Sequence, residues 1–207
     1  KEACKALGPG ADHTCNDYVQ NLMNMALDFQ MHTEVVTSSV DHFNNKHGFT
    51  THAQLRKLID AYPNTQQGNS DLAKNLWNNN HWTRAEFLRA IFEFLEGKGI
   101  RGQVTLNRWV LAAELEQDVR ALFEKNVQGQ IRTSHHSIGF TLFQWMRLRH
   151  GQNTVKPDLH VLNFVENAIG RRPSIYQAVD WLETVAKSLK RKAPRLDAAI
   201  WEFQRAI

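Results

Sequence analysis

The sequence predicts an all-α protein, a compact array of about ten helices in one or two lobes. Three observations carry this. Apolar residues recur at helical spacing along the whole chain, no stretch sustains the two-residue alternation of a strand, and helix start and stop signals follow one another without a long linker. At 207 residues, with 42% hydrophobic residues and a mean hydropathy of −0.48, the chain can bury one sizeable core or two packed lobes.

The elements follow in order. Asn16 and Asp17 cap a first helix over 17–30, whose apolar face is Val19, Leu22, Met23, Ala26 and Leu27. A second helix over 33–46 stops at Gly48. Thr51 with Gln54 spells a capping box before 52–61, which Pro63 closes. A helix over 70–78 follows, and Thr83 with Glu86 spells another box before 84–96, ended by Gly97. Unbroken periodicity then predicts a single helix over 105–126. SIGFTLFQWMRLRHG is apolar around most of its circumference, so the helix over 139–150 is expected to be buried on all sides. The remaining helices are 158–169, closed by Gly170, then 174–191, opened by the box Ser174 with Gln177, and 195–206.

Composition narrows the functional classes. No apolar run approaches the roughly 18–20 residues of a membrane span, and KEACKALGPG lacks the hydrophobic stretch of a signal peptide. A cytoplasmic protein is expected, nucleoid-associated in a bacterium. Two cysteines are too few for a disulfide framework or a four-cysteine cluster, and none of the ten histidines forms HxxxH or HExxH. No metal and no other cofactor is expected. Residues 147–207 carry 11 Lys/Arg against 6 Asp/Glu, while 1–146 carry 14 against 15. The positive excess of the last third suits a polyanion such as nucleic acid, and equally a solvated basic face.

Two segments invite a chemical interpretation. In TVKPDLHVLNFV, Asp158 stands at the mouth of an apolar helix, either as a plain N-cap or as a carboxylate held ready for chemistry. In GQIRTSHHSIGF, a tight turn at Ser137-Ile138-Gly139 launches the buried helix. Such a turn is either a simple corner between helices or a phosphate site at a helix N-terminus.

Taken together, HSIGFTLFQWM and, about twenty residues after its glycine, KPDLHVLNFV resemble the helix-hairpin-helix (endonuclease III-like, HhH-GPD) DNA glycosylase superfamily. In that family a hairpin G-V-G-x-K/x-T-A opens a buried helix and the next helix begins V-D-T-H-V, with a catalytic aspartate. Here Ser137-Ile138-Gly139 stands for G-V-G and Asp158-Leu159-His160-Val161 for D-T-H-V. LDFQMHTEVV is similar to the family's early L-S-x-Q-x-T-x-x-x-V segment, and RLDAAIWEFQ occupies the place of the closing helix.

The resemblance implies a helix-hairpin-helix element at 128–150 and a cleft between two lobes, one of 31–150 and one of 17–30 with 151–207. It implies a monofunctional DNA glycosylase acting as a monomer on double-stranded DNA with a damaged or modified base. The family's lyase lysine falls on Thr141, which cannot form a Schiff base. Asp158 would be catalytic, stabilising the cationic sugar or directing a water. Gln30, with Met31 or His32, would be the wedge, and His136, Ser137, Ile138, Gly139, Thr141 and Lys156 would meet DNA. Trp145, Phe140 and Met31 would line the base pocket, although aromatic residues at helical spacing are more often core. Two other classes stay open: a DNA-binding module that keeps the hairpin without chemistry, and a helical protein-interaction domain.

Overall fold

Helix signals are realised as hydrogen bonds along the chain, described in a computed structural model for residues 1–28, 31–48, 50–115 and 118–206, apart from the side chains of 112–115. The helices are α1 (Glu2–Lys5), α2 (Tyr18–Leu27), α3 (Thr33–Lys46), α4 (His52–Asp60), α5 (Gln66–Trp77), α6 (Trp82–Gly97), α7 (Gln103–Leu115), α8 (Val119–Asn126), α9 (Phe140–Arg149), α10 (Leu159–Ile169), α11 (Ile175–Ser188) and α12 (Ala193–Arg205). Among the described residues there is no strand, only an isolated antiparallel bridge between Arg132 and Ser137. No described helix is long and apolar enough to cross a membrane.

Several caps act as their residue types predict. Asp17 accepts from the Gln20 amide at 2.9 Å, and Ser174 and Gln177 form a complete reciprocal box. Elsewhere the structure differs from expectation. The run 105–126 is two helices, because Asp118 caps α8 by accepting from Ala121 N at 2.9 Å. α5 starts at Gln66 rather than 70, since Thr65 takes the Gly68 amide. Thr83 is not a cap: His81 precedes α6, and the Thr83 hydroxyl lies 3.1 Å from His136 Nε2.

The chain forms two compact units, Asn16–Ile138 and Lys1–Cys15 with Gly139–Ile207. This division differs from the lobes expected above: α2 groups with 16–138, and the boundary falls inside the Ser137-Ile138-Gly139 turn. In the unit 16–138, α6 packs against α2 and α5 through Phe87, Leu88, Ile91, Phe92 and Leu95, all buried. Each such side chain contributes about 1.5–3 kcal/mol when removed from water. The buried Arg89 ties this core together, donating to Asn69 Oδ1 and to the carbonyls of Ile59 and Tyr62.

In the other unit, α10, α11 and α12 pack on one another. α9 buries Phe140, Leu142, Phe143, Gln144, Met146, Arg147 and Leu148. Arg147 is 4% exposed and donates to Gln144 Oε1. Residues 1–15 belong to this fold. Cys15 N bonds to Arg149 O at 2.8 Å, and Gly10, at φ +69°, lies against α12 where a Cβ would come within 2.0 Å of Arg195 O.

Candidate functional site

The KPD turn before α10 gathers the polar side chains of the unit 1–15 and 139–207. Lys156 and Asp158 are joined across Pro157 by a bond from Asp158 N to Lys156 O at 2.8 Å, which folds the segment back on itself. Asp158 then enters α10 in extended conformation, at φ −85° and ψ −175°, and its Oδ1 accepts from the Val161 amide at 3.1 Å. The capping role is therefore real, but it occupies one oxygen. Oδ2 lies 3.8 Å from Lys156 Nζ, and the side chain remains 22% exposed.

Two contacts hold this turn in place. Thr141, in the first turn of α9, donates its hydroxyl to Pro157 O at 3.2 Å, so the helix that Gly139 opens is bonded directly to the segment bearing Asp158. From α12, Asp197 Oδ1 accepts from Lys156 N at 2.7 Å. Asp197 is buried, and burial, reinforced by the charge of Asp158, pushes its carboxyl up to about 8. At neutral pH Asp197 keeps its proton and adds no second negative charge beside Asp158.

Trp145 forms the apolar side of the cluster. The Lys156 ammonium lies 4.7 Å from its ring centroid, the Arg149 guanidinium 5.4 Å and His13 meets it edge-on at 5.9 Å. Burial, then the charge of Arg149, holds the His13 imidazole below its usual range, so it is neutral at pH 7. The Trp145 indole N–H is buried without a hydrogen-bond partner among the described residues. Phe140 is buried against Tyr176, with centroids 4.6 Å apart. His160 meets Trp201 edge-on at 6.5 Å.

The segment before α9 is a tight turn closed by backbone hydrogen bonds and the isolated Arg132–Ser137 bridge. Ile138 N bonds to Ile131 O at 3.0 Å, Thr133 N to His136 O at 2.6 Å, and the amides of His135 and His136 both reach Thr133 Oγ1. Ser137 is exposed and Ile138 buried. His136 is half-buried; desolvation, then the charge of Arg84, lowers its pKa. Gly139 caps α9 with an ordinary φ of −97° and no side chain to close the first amides, and a Cβ there would meet nothing within 4 Å. Neither strain nor internal crowding requires glycine at this position. What it leaves is open backbone at a helix N-terminus.

Of the residues singled out in the sequence, Thr141, Trp145, Lys156 and Asp158 come together in one cluster. Met31, His136, Ser137 and Ile138 belong to the other unit. Gln30 lies outside the described residues. Lys156, expected to reach for DNA, is instead folded over Trp145 and toward Asp158, with 17% of its side chain exposed. Sequence reasoning missed Asp197 and His13. The signal for Asp197 was present, since RLDAAIWEF places one acid within an apolar stripe, where Leu196, Ala198, Ala199 and Ile200 are all buried. Among the described residues no group of three His, Cys, Asp or Glu side chains is placed to hold a metal ion.

Residues 26–205 match the family described as Domain of unknown function (DUF8548), and the chain belongs to that family. No curated protein and no solved structure matches it.

Proposed function

We propose that this member of the DUF8548 family is a monofunctional DNA glycosylase that hydrolyses the bond between C1′ of a flipped nucleotide and a damaged or modified base. The observation that carries the proposal is the state of Asp158. It is fixed by the α10 amides through one oxygen, retains a second oxygen that no amide occupies, and is bonded through Pro157 and Thr141 to the helix opened by Gly139. As the base departs with the bonding electrons, positive charge builds on the sugar, and a carboxylate held without freedom to reorganise stabilises that charge. Water then adds at C1′ and releases a proton, which Asp158 would accept. A protonated Asp197 leaves the negative charge on the residue that faces the sugar.

The hairpin resemblance supplies the mode of docking. The N-terminus of α9, opened by Gly139 without a side-chain cap, would hold a backbone phosphate. With threonine at position 141, bonded to a carbonyl, the hairpin helix offers no amine there for strand cleavage. Trp145 would present the apolar surface of the base pocket.

The test is a panel of duplexes carrying uracil, alkylated purines, oxoguanine mispairs or modified cytosines, treated with protein and then hot alkali. Scission at one lesion by the wild type, slowed at least about 100-fold in Asp158→Asn, is expected. Salt-sensitive binding without scission on any duplex would make the protein a docking module instead. Absence of binding at low salt would leave a protein-interaction domain.

A further inference from the structure

The unit 16–138 contains a second polar site, remote in sequence from Asp158 and not used by the proposed reaction. One face of α4, along its whole length, and the end of α6 border a depression of about 800 Å³ lined by His52, Arg56, Lys57, Asp60, Glu96 and Arg101. That volume lies within the range of small-molecule sites, roughly 300–1,000 Å³.

Its floor is a continuous chain of bonds. His52 stacks on Phe92, with centroids 4.3 Å apart and planes 15° apart. The two ring nitrogens are both engaged, Nδ1 at 3.2 Å from the Tyr18 hydroxyl and Nε2 at 3.2 Å from Glu96 Oε1. The second Glu96 oxygen accepts from Arg56 Nη1 at 2.8 Å, and Arg56 Nε donates to Asp60 Oδ2 at 2.9 Å. Both acids of the depression are thereby matched to cationic or donor partners, and Arg56 keeps Nη2 for a ligand.

The rim is different. Lys57 and Arg101 are exposed, line the same space and make no ion pair among the described residues; Arg101 uses only its main-chain N–H, to Thr105 Oγ1. Three cations, Arg56, Lys57 and Arg101, share this space with two acids, Glu96 and Asp60, so one positive charge is in excess, and the two rim side chains are the ones left without an ion pair among the described residues. A phosphate monoester offers three oxygens, one each for Lys57, Arg101 and Arg56 Nη2, where a carboxylate offers two.

We propose that this depression binds the phosphate group of a small phosphorylated solute, with Lys57 and Arg101 supplying charge and Arg56 the directed hydrogen bonds. A concave site of this size suits a discrete solute better than a duplex, whose backbone phosphates are singly charged and carried on a convex surface. The Tyr18-His52-Glu96 chain fixes the floor and holds Arg56 in register.

The experiment is a titration of the full chain with inorganic phosphate at pH 7.5, following backbone amide and His52 ring resonances by NMR, against sodium chloride at matched ionic strength. The expected result is a saturable shift at His52 and its neighbours with phosphate only, weakened at least ten-fold in Lys57→Ala/Arg101→Ala and unchanged in Asp158→Asn. Both substituted residues are exposed, and the amide spectrum of the double variant reports that it is folded. Linear shifts matched by chloride, or equal affinity in the double variant, would overturn the proposal. Displacement of phosphate by undamaged duplex DNA would assign the depression to the nucleic-acid backbone and overturn the small-solute proposal.

Discussion

Asp197 gives the most quantitative expectation. In the unfolded chain its carboxyl titrates near the ordinary aspartate value of 3.8; folded, burial and the neighbouring Asp158 raise it to about 8. Between those values the folded protein binds one proton more than the unfolded chain, so stability falls as pH rises. The contribution is complete below the unfolded value and lost as pH climbs through the folded one. A full proton of difference corresponds to a slope of about 1.4 kcal/mol per pH unit, so the loss between pH 5 and 8 is of order 3–4 kcal/mol. Asp197→Asn keeps a carbonyl oxygen for the Lys156 amide and removes the titration. Urea unfolding of both proteins at pH 5, 6.5, 8 and 9 should give a difference profile that starts near zero or in favour of the wild type. It should then move toward the variant by several kcal/mol at alkaline pH. Parallel profiles would show that Asp197 is already ionised in the folded state and would remove the division of roles between the two carboxylates.

Three further outcomes follow from the same contacts. Gly10→Ala places a Cβ 2.0 Å from Arg195 O at φ +69°, so the N-terminal segment must shift at a cost above about 1 kcal/mol. In a Cys15→Ser background, the buried Cys4 thiol should then react measurably faster with a thiol reagent. Arg89→Ala abandons three acceptors, at 2.7, 3.1 and 2.7 Å, inside the unit 16–138 and should destabilise it by roughly 2–4 kcal/mol in thermal or urea unfolding. Thr141→Val removes the bond to Pro157 O without changing the size of the side chain. It should slow base release by about ten-fold through displacement of Asp158, with DNA affinity at fixed salt unchanged.

Much of the fold was legible because capping is local. Asp17, Thr51 and Ser174 each bind an amide three residues away, so residue type and spacing suffice, and α3 occupies 33–46 as read. The break between α7 and α8 was hidden because no glycine or proline marks it; Asp118 does the work inside a run whose apolar periodicity continues across it. Thr83 and Glu86 spell a box by spacing alone, yet the Thr83 hydroxyl is drawn to His136, 53 residues on, a competition no window of sequence displays.

The candidate site divides along the same line. Asp158 was visible as an acid at a helix mouth. Asp197 could be seen only as an acid within an apolar stripe; its amide partner, 41 residues distant, could not. Lys156 looked like a charge for a polyanion; tertiary packing turned it over Trp145. Charge sign can be counted from the chain, but the direction a long side chain takes cannot.

The most direct test is single-turnover release of free base, identified by mass, from lesion-bearing duplexes held by excess protein. Wild type should liberate one base per duplex, and Asp158→Asn should bind the same DNA with similar affinity while releasing base at least about 100-fold more slowly. Equal rates for the two proteins would contradict the central role given to that carboxylate.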